Sequence, residues 1–443
     1  MLRSFIHPIE SGSSKPIRDA RRVIRLCQSL LSERGEVSAA RLAAEVHQAY
    51  KSLDSAARDA LFDLLVTEFS LNSVEVGRAA DAYRAEPSQA NLGRLQAAVE
   101  PPRQELFRRF NMAQGGTAVL VDLRRHLRKT LSAHPERAGV DADLAHLFRS
   151  WFNRGFLFLQ RIEWRTSALV LERLIEYEAV HQIQGWRDLR RRLEADRRCY
   201  AFFHPALPDE PLIFIEVALA RGMPAKVQPL LDPEAVVVDP TGADCAVFYS
   251  ITNCQEGLRG VSFGNFLIKQ VAEELGRDFP HLKTFATLSP VPGFGDWLMN
   301  RDDPLTLEDH PTAIRKIIDT LRMRQAPEPL VGPAIQRELS RLCAYYLTYA
   351  KRGKAPLDPV ARFHLANGAR LERLNWMGDT SPAGLTRSLG FTVNYVYRLA
   401  DVERNHEAYA KAYAIVASRE FRHLARMGRR GNESQPAPVA ASD

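Results

Sequence analysis

The first 150 residues place apolar side chains at helical intervals and contain no run that alternates like a strand. Ser38, Asp54, Ser73 and Ser88 stand at the starts of these runs, where a short polar side chain can cap free backbone N–H groups. Because short connections separate the runs, we predict an α-helical bundle over residues 1–150, a scaffold or oligomerisation module. The predicted helices cover residues 38–53, 55–69, 73–85, 88–100 and 117–131, with another after Pro101 and Pro102.

The pattern changes near Trp151, where short apolar and β-branched runs begin to alternate with helical ones. This order of elements is that of the acyl-CoA-binding acetyltransferase fold. We therefore predict an α/β (α+β) acetyltransferase-like, GNAT-type catalytic domain with a central mixed sheet over residues 151–430. Residues 305–425 are predicted to be mostly helical, and 431–443 to be a disordered tail by composition. The strands are predicted at residues 156–164, 199–204, 212–220, 245–251 and 282–288, with helices at 167–180, 186–194 and 265–276.

A glycine-punctuated loop follows the predicted strand 245–251 and leads into a helix. Gly257, Gly260 and Gly264 allow a sharp turn and a close backbone approach. A helix that begins at such a loop presents free N–H groups that can hold a phosphate or pyrophosphate. The loop matches neither the GxGxxG nor the GxxxxGK[ST] fingerprint, so on its own it indicates only a tight strand–helix connection. The next strand ends at Ser289, which we predict on a proline-rich turn near the same end of the sheet.

Charge and cysteine content restrict the function classes only loosely. The net charge is +7, and basic runs at 124–129, 187–198 and 426–431 are interleaved with leucines without an aromatic stacking motif, so most are predicted to be solvated helix faces. The five cysteines are scattered without CxxC spacing, which favours reduced thiols and argues against structural zinc. No apolar run reaches the roughly 20 residues of a membrane helix. The histidines of the helical region are interpreted as structural: His47, His126, His134 and His146.

Three longer stretches carry the chemistry. HPALPDEPLIFIEVAL (204–219) joins a His-Pro turn to acidic residues, and FPHLKTFATLSPVPGF (279–294) presents Ser289. DPVARFHLANGARLERLNWMGD (358–379) contains His364 and is followed by NYVYRL (394–399), which contains Tyr397. Together these stretches resemble the malonyl-CoA decarboxylase family from about Trp151 to beyond Arg398.

The resemblance implies conversion of malonyl-CoA to acetyl-CoA and CO2 without a cofactor and without a metal. It implies that Ser289 is a proton acceptor or relay, that His364 donates a proton to the nascent acetyl carbon, and that Tyr397 hydrogen-bonds in the pocket. A near-neutral pKa would suit His364 to this task. A homotetramer in the cytoplasm is also implied, with no nucleic-acid or membrane partner. The implied coenzyme A-binding loop consists of Arg259, Gly260, Val261, Ser262, Phe263, Gly264 and Asn265.

Simpler interpretations stand beside these roles. A serine before proline is most often a turn former, a lone histidine is more often packed in a core, and paired tyrosines more often pack than react. Jointly, in motifs this long, we favour function for Ser289, His364 and Tyr397, and structure for Glu210, Glu216 and His204. Two rival functions remain: an acyl-CoA-dependent N-acyltransferase, which would need an acceptor amine, and a non-catalytic acyl-CoA sensor or scaffold, which would bind without turnover.

Overall fold

The computed structural model describes residues 14–261, 263, 267–300 and 332–429. The helices are α1 Lys15–Leu31, α2 Glu33–Lys51, α3 Ser55–Glu68, α4 Ser73–Ala85, α5 Gln89–Ala98, α6 Pro102–Phe110, α7 Gly116–Thr130, α8 Ala138–Trp151, α9 Ala168–Tyr177, α10 Trp186–Arg192, α11 Gln228–Leu231, α12 Leu267–Asp278, α13 Phe294–Met299, α14 Pro333–Tyr349, α15 Pro359–Ala366, α16 Pro382–Ser388, α17 Val402–Ala412 and α18 Arg419–Arg429. The strands are β1 Phe158–Ile162, β2 Arg197–Phe203, β3 Ile213–Ala220, β4 Cys245–Asn253, β5 Thr284–Thr287, β6 Ser289–Pro290, β7 Lys351–Arg352, β8 Ala355–Pro356, β9 Arg370–Asn375 and β10 Thr392–Val396.

Side-chain caps explain several helix starts in the amino-terminal region. The Asp54 carboxylate accepts from the Ala57 N–H at 2.8 Å, and the Ser88 hydroxyl accepts from the Asn91 N–H at 3.3 Å. The cap of α4 is Asn72 rather than the predicted Ser73. Ser38 has non-helical backbone angles, with φ −121° and ψ 23°, so a kink divides the span of α2 into two helical segments at the predicted helix start. The predicted helical region is confirmed, and α1 and α8 add to the helices read from the sequence.

The predicted architecture is confirmed: the helical region is followed by an α/β domain with a central mixed sheet. The sheet order is β1-β2-β3-β4-β5-β10-β6, and β9 also pairs with β10. Strands β2 and β3 are antiparallel, whereas β4 and β5 are parallel and are connected through α12. The glycine loop lies between the two strands of this parallel pair in the chain, as the predicted order requires.

The carboxy-terminal region departs from the prediction of mostly helix. Strand β10 pairs antiparallel with β5 and β6, which follow one another in the same register along β10, and it also pairs antiparallel with β9. All five residues of β10 are buried, including the polar Thr392 and Asn394, and a run of five residues is too short for its periodicity to distinguish a strand from a helix. Part of the predicted 305–425 region, residues 305–331, lies outside the described residues, as does the predicted tail 431–443.

The chain divides into two compact units. One comprises the chain up to Phe158 together with Phe203–Leu212 and Asn253–Phe263, and the other comprises Leu159–Phe202, Ile213–Thr252 and the chain from Gly264 onward. Most of the glycine loop therefore belongs to the first unit, and Ser289, His364 and Tyr397 belong to the second. Across the described ranges, no helix combines the length and apolar character needed to cross a membrane.

Candidate active site

Ser289 is held by strand pairing within the sheet rather than by a turn alone. It forms the two-residue strand β6 with Pro290 and pairs with Val393 of β10, which corrects the prediction of a proline-rich turn. The side chain is buried, with 7% of the residue exposed. Pairing with a central strand fixes the backbone on which the hydroxyl is carried, so Ser289 is presented from a rigid element.

His364 lies in the last turn of the short helix α15. Asp358 caps this helix by accepting from the Ala361 N–H at 2.8 Å, and Pro359 occupies the first turn. The helix ends at Ala366, and two residues later Gly368 has a φ of +80°, which favours glycine. A Cβ on Gly368 would lie 2.1 Å from the Val402 carbonyl oxygen, so glycine is also required by the close approach of α17. The sequence DPVARFHLANG therefore encodes a short helix that ends two residues after the histidine.

Tyr397 follows the last residue of β10, and its N–H donates to the Phe285 carbonyl at 2.8 Å. Its hydroxyl oxygen lies 2.8 Å from His364 Nδ1, and His364 Nε2 lies 2.9 Å from Ser289 Oγ. The Tyr395 ring stacks on His364 with a centroid distance of 4.4 Å. The three residues proposed from the motifs thus form one continuous hydrogen-bonded chain, Ser289–His364–Tyr397, although 75 and 33 residues separate its neighbours in sequence.

Burial sets the charge state of this chain. Desolvation lowers the pKa of His364 to about 3, so the imidazole is neutral at physiological pH. The near-neutral pKa expected from the sequence is therefore wrong for this site, because the ring is almost wholly removed from water. Burial also raises the pKa of Tyr397 well above its ordinary value of 10.0, which keeps the phenol protonated. Three neutral groups that are joined by hydrogen bonds can relay a proton although none of them carries a charge at rest.

Sequence reasoning missed Thr287, which lies two residues before Ser289 and is fully buried. The Ser289 hydroxyl donates to Thr287 Oγ1 at 2.9 Å, and the Tyr395 N–H donates to the same oxygen at 3.1 Å. The Asn394 amide in turn donates to the Thr287 carbonyl at 2.7 Å. The only available signal was the position of Thr287 on the same face of the strand as Ser289, two residues away.

Two acidic residues and the histidine of the 204–219 stretch make contacts that agree with their interpretation as structural residues. Glu216 accepts from Arg192 at 2.8 Å in a buried ion pair between β3 and α10. Glu210 accepts from the Gln255 amide at 3.3 Å. His204 Nδ1 accepts from the Ala206 N–H at 3.1 Å, which stabilises the His-Pro turn.

Several arginines from the basic runs are buried and are exceptions to the prediction that most of these runs are solvated helix faces. Arg124 is 2% exposed; it pairs with Asp141 at 2.9 Å and donates to the carbonyls of Gly257 and Arg259 at 2.8 and 3.1 Å. Arg191, Arg192 and Arg197 are buried too. These side chains organise the interior, and Arg124 holds the glycine loop rather than facing solvent.

Four of the seven predicted loop residues are described. Arg259 is exposed, Val261 and Phe263 are buried, and Gly260 has a φ of +81° with open space around its Cβ position. Ser262, Gly264 and Asn265 lie outside the described residues. The described part of the loop thus has a glycine-specific backbone beside an exposed cation.

A cavity of about 560 Å³ lies between the start of β5 and the end of β10. Its lining includes Thr284, Arg370, Tyr397 and Arg398. Ser289 follows the opposite end of β5, so we do not assign the reacting group to this cavity.

All five cysteines lie in described parts of the chain, where they are buried and form no disulfide.

One surface group in the helical unit has metal-type ligands. Donor atoms of Asp63, His134 and Glu136 lie within 4.8 Å of one another. The guanidinium of Arg137 contacts Asp63 at 2.8 Å and already neutralises part of its charge. This arrangement is accounted for as a surface ion-pair cluster.

Comparisons with known proteins decide the family. The description "Malonyl-CoA decarboxylase C-terminal domain" matches residues 155–435, and "Malonyl-CoA decarboxylase N-terminal domain" matches residues 69–152. This chain belongs to the malonyl-CoA decarboxylase family. It is therefore an enzyme.

Individual relatives span both regions of the chain. The mitochondrial malonyl-CoA decarboxylase of Anser anser anser is 36% identical over 423 residues, covering 88% of this chain and 84% of the relative. The crystal structure of malonyl-CoA decarboxylase from Rhodopseudomonas palustris shares 48% identity with a TM-score of 0.83, over 91% of this chain and 99% of that one. The enzyme from Agrobacterium vitis shares 46% identity with a TM-score of 0.84 over the same shares.

Proposed function

We propose that the protein decarboxylates malonyl-CoA to acetyl-CoA and CO2 without a cofactor, and that Ser289 and His364 protonate the thioester enolate. The substrate follows from the family, whose relatives are named for it. The observation that supports the mechanism is the buried Ser289–His364–Tyr397 chain. It offers exchangeable hydrogens in a site that largely excludes water.

The chemistry explains why such a site could suffice. When the carboxylate leaves as CO2, its bonding electron pair moves into the thioester carbonyl and forms an enolate. The substrate thus carries its own electron sink, so an organic cofactor has no obligatory task. A desolvated site favours loss of the carboxylate charge, and preorganised donors stabilise the developing oxyanion. The protein's remaining task is to supply one proton to the α-carbon.

The proton balance is simple. The α-carbon gains one proton from the Ser289–His364 pair, and solvent returns one proton to the site for each CO2 released. Because the enolate is a strong base, a neutral imidazole or hydroxyl can serve as its acid. The lowered pKa of His364 is therefore compatible with the proposed role, provided that the ring acts through an N–H group rather than as an imidazolium.

The glycine loop is proposed to hold the coenzyme A part of the substrate. Arg259 supplies an exposed cation, and Gly260 keeps the backbone open to close approach. Val261 and Phe263 anchor the loop in its unit. Ser262, Gly264 and Asn265 remain part of this proposal on the resemblance alone.

The first experiment is incubation of the purified, chelator-dialysed protein with malonyl-CoA alone. Equal amounts of acetyl-CoA and CO2 are expected. Consumption of acetyl-CoA only when an amine is added would favour an acyltransferase, and saturable binding without product would favour a sensor. Loss of activity on dialysis, restored by a metal ion or cofactor, would contradict the cofactor-free mechanism.

The roles of the two domains, the oligomeric state and the cellular location are also proposals. We propose that residues 1–150 form the scaffold or oligomerisation domain, that 151–430 form the catalytic domain, and that the protein is a cytoplasmic homotetramer. Light scattering coupled to size exclusion measures the oligomer. A truncation lacking residues 1–150 that remains a tetramer would contradict the assigned role of the helical domain.

A further inference from the structure

We propose that Thr287 is a positioning residue that sets the direction of the hydrogen bonds along the Ser289–His364–Tyr397 chain. It does so by accepting the Ser289 hydrogen, which makes neutral His364 the Nε2–H tautomer. This inference rests on the proposed function for its catalytic consequence but not for its structural content.

The surroundings of Thr287 Oγ1 define its role. The backbone N–H of Tyr395 can only donate, and it lies 3.1 Å from Oγ1. The Val393 carbonyl can only accept, and it lies 3.5 Å from the same oxygen. Thr287 can therefore place its own hydrogen on Val393 and keep a lone pair for the Ser289 hydroxyl, which lies 2.9 Å away.

The remaining hydrogens then follow in sequence. Because the Ser289 hydrogen points to Thr287, the 2.9 Å contact between Ser289 Oγ and His364 Nε2 must be made by an Nε2–H donor. A neutral ring protonated at Nε2 has a bare Nδ1. The Tyr397 hydroxyl, 2.8 Å away, then donates to Nδ1. In this arrangement every buried hydrogen has an acceptor.

The reversed arrangement leaves the phenol hydrogen of Tyr397 without an acceptor in the described part of the chain. If Thr287 donated to Ser289 and Ser289 donated to His364 Nε2, then Nδ1–H would donate to Tyr397. The phenol hydrogen would then need another acceptor, but within the described part of the chain the only hydrogen-bond partner of the Tyr397 hydroxyl is His364. Buried hydroxyl groups without a partner are disfavoured in folded proteins. The contacts at the Thr287 end and at the Tyr397 end therefore select the same tautomer.

The selected direction has a chemical consequence. A serine nucleophile gives its hydrogen to the neighbouring histidine, which acts as a base. Here the serine hydrogen is directed away from the histidine, and the His364 N–H points at Ser289. The chain is thus arranged to deliver a proton outward, from Tyr397 through His364 towards Ser289, rather than to create an alkoxide. This is the direction needed to protonate an enolate.

The test combines Thr287→Val, which keeps the shape but removes the hydroxyl, with Thr287→Ser, which restores it. In full-length protein labelled with ¹⁵N-histidine, His364→Gln identifies the His364 nitrogen signals. The wild type should show a protonated Nε2 and a bare Nδ1. Thr287→Val should shift the protonation towards Nδ1 and lower kcat by roughly tenfold or more with little change in KM. Thr287→Ser should restore both the tautomer and most of the rate.

Three results would overturn the inference. The first is a wild-type His364 protonated at Nδ1, and the second is a Thr287→Val protein with unchanged tautomer and rate. The third is loss of rate in both variants with the wild-type tautomer retained, which would show that Thr287 only packs. Because the tautomer is read without substrate, the inference can hold even if malonyl-CoA is not turned over, so its failure is separable from failure of the proposed function.

Discussion

The buried imidazole of His364 should make the stability of the protein depend on pH in mild acid. Burial lowers its pKa to about 3 from an ordinary 6.5, and unfolding returns the ring to water. Between these two values the unfolded chain binds a proton that the folded chain does not bind. The free energy of unfolding therefore falls as the pH falls from about 6.5 towards 3, and the contribution of His364 is fully present only above that range.

The magnitude follows from the width of this window. Each pH unit inside it changes the free energy of unfolding by about 1.4 kcal/mol. Acidification from about pH 6.5 to about pH 4.5 should therefore remove about 3 kcal/mol through His364 alone. Other groups titrate over the same interval, so the quantity to measure is the difference between the wild type and His364→Gln, which cannot protonate at this position.

The assay is chemical denaturation of both proteins at about pH 7.5 and about pH 4.5. Trp297 and Trp376 lie in the same compact unit as His364 and report its unfolding by fluorescence. The wild type should lose about 3 kcal/mol more than the variant on acidification. Equal losses would refute the reasoning, because they would show that the ring has a similar pKa in the folded and unfolded chains. A histidine NMR titration of the folded wild type provides the control.

Four further changes test the remaining geometry. Gly368→Ala should reduce the stability by roughly 2 kcal/mol or more, since its Cβ would meet a carbonyl 2.1 Å away. The control is Gly353→Ala, whose glycine also has a positive φ but has open space around its Cβ position. In thermal melts this control should lose less stability than Gly368→Ala. Gly260→Val should weaken coenzyme A binding by about tenfold in calorimetry, and unchanged affinity would remove this glycine from the site. Arg124→Met should increase hydrogen exchange in the loop, whereas unaltered protection would mean that its buried contacts do not order the loop. Tyr397→Phe should lower kcat by roughly tenfold to hundredfold, and a full rate would separate the phenol from the chemistry.

The amino-terminal fold was largely predictable from the sequence, because its helices carry a long apolar period and polar caps. Asp54 and Ser88 cap where the pattern places them. Strand β10 was not predictable in the same way, because its five residues are too few for their periodicity to distinguish a strand from a helix. Its central place depends on partners more than 100 residues away in the sequence, such as Ala286.

The candidate site, too, was predictable from the sequence only in part. Motifs identified Ser289, His364 and Tyr397, but only the tertiary structure brings them into one hydrogen-bonded chain. Thr287 was missed because an ordinary strand threonine has no distinguishing local pattern. The pKa of His364 was mispredicted for a related reason: its shift comes from burial by the surrounding fold, which a residue type and its neighbours in sequence do not specify.

The most direct test of the account is turnover of malonyl-CoA by the wild type, Ser289→Ala and His364→Gln, with acetyl-CoA and CO2 followed together. The account predicts equal yields of both products from the wild type. It predicts a loss of kcat on the order of 10² to 10⁴ in His364→Gln and a large loss in Ser289→Ala, with circular dichroism unchanged. A folded His364→Gln protein that releases both products at the wild-type rate would contradict the central claim.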